Sequence, residues 1–142
     1  LSKPLYDCWS HPLIFPESRE VLAQCRLPVC LVSNADNAEL ESALRHTGLR
    51  FDWIVTSEDC RAYKPRGALF ARALSLLGLP PSGVLHAGDS LYNDVYGARS
   101  MGIRTLWVNR KNRRKPETAD PADYVSADLR GILNLAQQLK GR

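Results

Sequence analysis

The stretch VLHAGDSLYNDVYGA, Val84 to Ala98, decides how the chain is read. A largely apolar run leads into Gly88, two acids follow at Asp89 and Asp94, and an apolar helical spacing begins at Leu91 and Val95. A buried run that stops on a glycine and turns straight into a helix is the signature of a strand feeding a crossover helix. Two carboxylates five residues apart at such a turn repel each other unless a positive charge lies between them. A bound metal ion is the candidate that the spacing raises.

Outward from this stretch the same alternation repeats. PVCLVS (Pro28–Ser33), WIVTS (Trp53–Ser57), VLHAG (Val84–Gly88) and RTLWV (Arg104–Val108) are continuous apolar runs, with DYVS (Asp123–Ser126) a shorter fifth. Strands covered on both faces read in this way, so the fold class is α/β, a Rossmann-like parallel sheet flanked by helices on both faces. Helices are expected between the strands. Glu17–Cys25 is one. Asp36 and Glu39 have the spacing of a capping box, followed by Leu40, Ala43 and Leu44 and stopped by Gly48. Pro65 suits the first turn of a helix with the face Leu69, Phe70, Ala73, Leu74 and Leu77, ended by Gly78. Leu91, Val95, Ala98 and Met101 precede Gly102, and Leu129, Ile132, Leu133, Ala136 and Leu139 make the last helix.

Residues 1–16, with three prolines and the aromatics Tyr6 and Trp9, break this alternation. They are expected to be an arm or the trailing end of another domain, leaving 17–142 as the α/β core. The chain opens on Leu1 rather than methionine, so a start further upstream, and any targeting signal there, is part of that expectation.

Composition narrows the function classes. The 142 residues are 44% hydrophobic and 24% charged, which suits a water-exposed globular domain and no membrane partner, since no apolar run nears a bilayer span. Cys8, Cys25, Cys30 and Cys60 form no CxxC pair, so zinc and dithiol chemistry are disfavoured and reduced thiols in a cytoplasmic protein are expected. The net charge of +4 owes much to RKNRRK, Arg110–Lys115. It reads as a solvated loop. The alternative is a patch for an acidic partner, although no aromatic residue interleaves as a nucleic-acid surface would ask.

Three polar features fall where strand character stops: Ser33–Asn34, Lys64, and Asp89 with Asp94. Taken singly, each has a plainer account as a cap, a solvated lysine, or a first-turn acid favoured by the helix dipole. Together they carry more weight, because ligands of open α/β sheets bind outside the carboxyl ends of the strands. Helix N-termini at that edge offer N–H groups to an anion.

The pieces LVSN, YKP and GDSLYND followed by GARSMGI resemble the haloacid dehalogenase superfamily, in particular its phosphatases, over most of Glu17–Arg110. The resemblance implies that Ser33 holds a phosphate oxygen with Asn34 beside it, and that Lys64 balances the charge of phosphoryl group and nucleophile. It implies that Asp89 binds Mg2+ directly and Asp94 supports the ion, the substrate being a small phosphorylated metabolite hydrolysed through an aspartyl-phosphate. Those roles suit a hard ion that takes one or two carboxylates, water and phosphate, and a reaction run by positioning and positive charge.

One part is missing. None of Asp7, Asp36, Asp52, Asp59, Asp89, Asp94, Asp120, Asp123 and Asp128 stands in the DxDx[TV] pattern that carries the family's nucleophile. In the family that strand lies centrally, between the one ending at Ser33 and the one ending at Gly88. A gap with two unpaired edges is therefore expected. Either an N-terminal segment or another chain completes the sheet, with this chain alone inactive, or the chain is a non-catalytic phosphate-binding module. A 2-haloacid dehalogenase is a further alternative, disfavoured by Asp89, because dehalogenases of the superfamily generally lack that acid. A bacterial receiver domain fails on the order of its residues along the chain.

Overall fold

A computed structural model of the protein describes residues 16–140. The arm expected over 1–16 lies outside the described residues apart from Pro16, which opens the first helix. In order, the elements are α1 (Pro16–Gln24), β1 (Cys30–Ser33), α2 (Asn37–Thr47), β2 (Trp53–Thr56), α3 (Ser57–Cys60) and α4 (Ala68–Leu77). A 3-10 turn (Pro81–Gly83) leads to β3 (Leu85–Gly88) and a wide π turn (Leu91–Tyr96) that runs into α5 (Gly97–Ser100). Then come β4 (Arg104–Val108), β5 (Tyr124–Ser126) and α6 (Arg130–Lys140).

All the ladders are parallel, as continuous apolar strands joined by helices require. They fall into two sheets. β1 pairs with β2, Ser33 opposite Thr56, and β3–β4–β5 form the second sheet, Gly88 opposite Trp107. Among the described residues no ladder joins β1 to β3. Instead the two strands wall a cavity of about 70 Å³ lined by Cys30 and Val32 on one side and Leu85 and His86 on the other, with Phe70 and Ala73 of α4 also lining it. Among the described residues the gap expected from the missing motif strand is therefore a narrow slot between β1 and β3.

α4 holds the halves together because its apolar residues splay onto both. Leu69 and Ala73 pack with Val55, Cys30 and Val32, while Phe70 and Leu74 pack with Ala98, Ile103 and Val84. Leu69 and Phe70 are both essentially fully buried, and burial of each contributes about 1.5–3 kcal/mol. A third cluster, Leu106, Val108 and Leu135, fastens α6 to the second sheet.

The glycine stops stand where the pattern puts them. Gly48 and Gly78 end α2 and α4 with φ of 72° and 66°, a left-handed conformation that side chains resist. Two helix starts differ from expectation. Asp36 occupies the N-cap position of α2, but its side chain makes no cap hydrogen bond. The Asn37 N–H donates instead to Glu58 Oε2 at 3.0 Å, so an acid from α3 takes over the role assigned to the capping box. Pro65 precedes α4 rather than sitting in its first turn, and Gly67 is the N-cap. Residues 63–66 are occupied by a turn, Arg66 N–H to Tyr63 O at 2.9 Å, and the helix begins only after it.

Candidate active site

Asp94 is the centre of the site. The Val95 N–H closes on the Ser90 carbonyl at 3.1 Å, five residues back, and the Asn93 N–H donates to Ser90 Oγ at 3.0 Å. This wide turn brings the Asp94 side chain back over the end of β3, where Ser90 N–H donates to its Oδ2 at 3.2 Å. Gly88 is required beneath it, because a Cβ at that position would overlap the carboxylate.

The other oxygen, Oδ1, receives two donors. Lys64 Nζ lies 2.7 Å away and His86 Nε2 3.0 Å away. With Asp94 ionised, both neighbours must donate, so His86 carries a proton on Nε2. Burial, the largest influence, would raise the Asp94 pKa. The His86 hydrogen bond and the Lys64 charge overcome it and hold the carboxyl at about 2.

Lys64 has a second bond, from Nζ to the Val32 carbonyl at 3.1 Å. The path Val32–Lys64–Asp94–His86 thus spans from β1 to β3 where the ladder is lacking. An ammonium has three N–H groups, and two are spent, which leaves one for an anion in the crevice. The Lys64 backbone is fixed as firmly. Its N–H donates to Asn34 Oδ1 at 2.8 Å, and its carbonyl accepts from Asn34 Nδ2 at 3.3 Å.

The structure therefore brings Asn34, Lys64 and Asp94 together, but with divided tasks. Asn34 spends its amide on Lys64 rather than on a ligand. Ser33 is buried at the end of β1, and its hydroxyl has no hydrogen-bond partner among the described residues. Asp89 is exposed just past Gly88, its main chain tied by Trp107 Nε1–H to the Asp89 carbonyl at 3.1 Å. The N-terminus of α2 is not open to an anion, since Glu58 already occupies it.

The donors for Mg2+ are present only in part. Asp89 offers an exposed carboxylate, whereas both oxygens of Asp94 are engaged. No group of three His, Cys, Asp or Glu side chains suited to an ion stands among the described residues. Nor, among the described residues, does a free carboxylate sit where a nucleophile would. Asp94 is the acid at Lys64, Asp52 accepts the Val29 N–H at 2.7 Å, and Asp59 accepts from Asn37 Nδ2 at 2.8 Å.

The sequence reading missed His86, Trp107 and Glu58. Only His86 left a trace: it lies two residues before Gly88 in an otherwise apolar strand, where a polar side chain needs a partner.

A parallel α/β scaffold that gathers a lysine and a carboxylate at the carboxyl edge of its strands is the setting in which open α/β sheets bind their ligands. A profile of haloacid dehalogenase-like hydrolases matches residues 3–102, and the chain belongs to that family. It is 40% identical to haloacid dehalogenase-like hydrolase domain-containing protein 3 of Danio rerio, over 82% of this chain and 50% of that protein. It is 28% identical to the (S)-2-haloacid dehalogenase of Pseudomonas sp. strain YL, over 89% of this chain and 55% of the other. The crystal structure of a phosphatase of the family from Thermococcus onnurineus superposes with a TM-score of 0.78 at 31% identity, covering 92% of this chain and 63% of that one. The chain spans about half the length of the curated relatives it matches.

Proposed function

We propose that this chain carries the substrate-binding half of a Mg2+-dependent phosphohydrolase acting on a small phosphorylated metabolite. The observation that supports it most is the Lys64–Asp94 pair, which holds a charged ammonium at the Val32 carbonyl, one residue before Ser33, with one N–H to spare. In this reading Ser33 donates to a phosphoryl oxygen and Lys64 neutralises the charge that spreads over the equatorial oxygens. Asp94 keeps Lys64 charged and aimed. Among the described residues Asp89 is the carboxylate that would hold Mg2+, which when bound supplies further positive charge to the phosphate.

The nucleophilic carboxylate and its acid/base partner come from a strand that enters the slot between β1 and β3, on a preceding segment or a second chain. That the chain spans about half the length of its relatives, and that no free carboxylate stands beside Lys64 among the described residues, support this. The similarity to a 2-haloacid dehalogenase favours one alternative, hydrolysis of a carbon–halogen bond on the same scaffold. Asp89 argues against it.

The test adds an N-terminal segment bearing a DxDx[TV] strand to the purified chain, with Mg2+ and a chromogenic phosphate ester. Turnover is expected only when both pieces are present, and is expected to vanish in Asp89→Ala. Turnover that survives Asp89→Ala, or reconstituted activity on 2-haloacids and none on phosphate esters, refutes the phosphohydrolase.

A further inference from the structure

The basic segment, read from sequence as a solvated loop, is a built turn at the rim of the crevice. Asn109 closes it, with Nδ2 donating to the Arg113 carbonyl at 2.8 Å and Oδ1 accepting the Arg113 N–H at 2.9 Å. Its own N–H is anchored to the Ser126 carbonyl of β5 at 2.7 Å. Asn112 completes the turn at φ 50°, a conformation asparagine tolerates better than most residues.

The turn sorts its cations. Arg110 is drawn inward onto buried Glu17 of α1. Lys115 Nζ is turned onto the carbonyls of Pro116 and Ala119. Lys111, Arg113 and Arg114 remain, all exposed, and none has an acid partner among the described residues. Three unpaired cations on a pinned turn are a concentrated positive field.

Its place follows from the register. β3 and β4 are parallel with Gly88 opposite Trp107, so Asp89 emerges level with Val108, roughly 5 Å away across the ladder. The turn begins at the next residue, Asn109. Trp107, whose indole holds the Asp89 carbonyl, fixes the two loops to each other.

We propose that Lys111, Arg113 and Arg114 form a second anion subsite, which takes a phosphate of the substrate other than the one seated at Ser33 and Lys64. The preferred ligand class is a small bisphosphorylated molecule. This rests on the phosphohydrolase reading, since it supposes that the first phosphate sits in the crevice. The turn lacks aromatic side chains, and its three cations suit one compact anion better than an extended strand of nucleotides.

The test is a titration of the full chain followed by backbone amide NMR shifts at low salt, with glucose 6-phosphate, glucose 1,6-bisphosphate and a short thymidine oligonucleotide as probes. The bisphosphate should shift residues 109–115 together with Ser33, Asn34 and Lys64, and bind about tenfold more tightly than the monophosphate. The triple variant Lys111→Ser, Arg113→Ser, Arg114→Ser should lose that advantage while its monophosphate affinity stays within about twofold. Equal affinity of variant and parent for the bisphosphate overturns the subsite alone, as does an oligonucleotide that outcompetes the bisphosphate at the turn. A monophosphate that leaves Ser33, Asn34 and Lys64 unmoved overturns the crevice reading, and the subsite with it.

Discussion

Asp94→Asn separates charge from shape at the centre of the site, and its cost follows from the geometry. The substitution keeps the side chain's size but leaves Lys64, 12% exposed, facing a neutral amide. The Asp94 carboxyl titrates at about 2 rather than its ordinary 3.8, and at about 1.4 kcal/mol per pH unit this corresponds to roughly 2–3 kcal/mol. Stranding one partner of a buried pair costs about 3–5 kcal/mol, so the expected loss is about 3 kcal/mol. In urea that moves the unfolding midpoint down by about 2 M for a slope near 1.5 kcal/mol/M. The sign of the pH dependence is fixed too. The folded value lies below the unfolded one, so the stabilisation is complete above the unfolded value and lost as pH falls toward the folded one. Nearly half is gone by about pH 3. Urea curves for wild type and variant at pH 7 and pH 3 should therefore differ by less at the lower pH, the gap narrowing by about 1 kcal/mol. A midpoint shift below about 0.3 M at pH 7, or a gap unchanged at pH 3, would refute the idea that the carboxylate charge organises this site.

Gly88→Ala drives a methyl into the Asp94 carboxylate, and the expected result is a loss of about 1–3 kcal/mol in the same urea assay. Wild-type stability there would mean that Asp94 does not fold back over β3. Cys30 lines the slot, and burial pushes its thiol up to about 11, so at pH 8 it should be the slowest of the described cysteines to react with iodoacetamide in a peptide-mapped time course. Labelling as fast as a free thiol would show that the wall of the slot is open.

The strands were legible because burial on both faces leaves uninterrupted apolar runs, and Arg104–Val108 spans the same residues in sequence and structure. Gly48, Gly78 and Gly102 were legible as stops because their backbones adopt positive φ. The slot could be anticipated only because a nucleophile motif was missing from its place in the resemblance. Competition between distant groups was not legible. Asp36 has the right spacing for a cap, yet Glu58 arrives from another element and takes the donor. Asp89 and Asp94 look equivalent along the chain, and nothing local says that one is exposed while the other is locked between a lysine and a histidine. That difference arises from the fold, which delivers Lys64 from thirty residues away.

The wide turn from Leu91 to Tyr96 also sets a rule about length. Its closure over five residues determines the rotational phase at which position 94 emerges. Deleting one residue there would swing that side chain by roughly a quarter turn around the axis, away from its lysine, with every amino acid otherwise retained. Spacing between Gly88 and Gly97 is thus a fixed count for this pocket, and a chain with one residue more or fewer in the interval must build it differently.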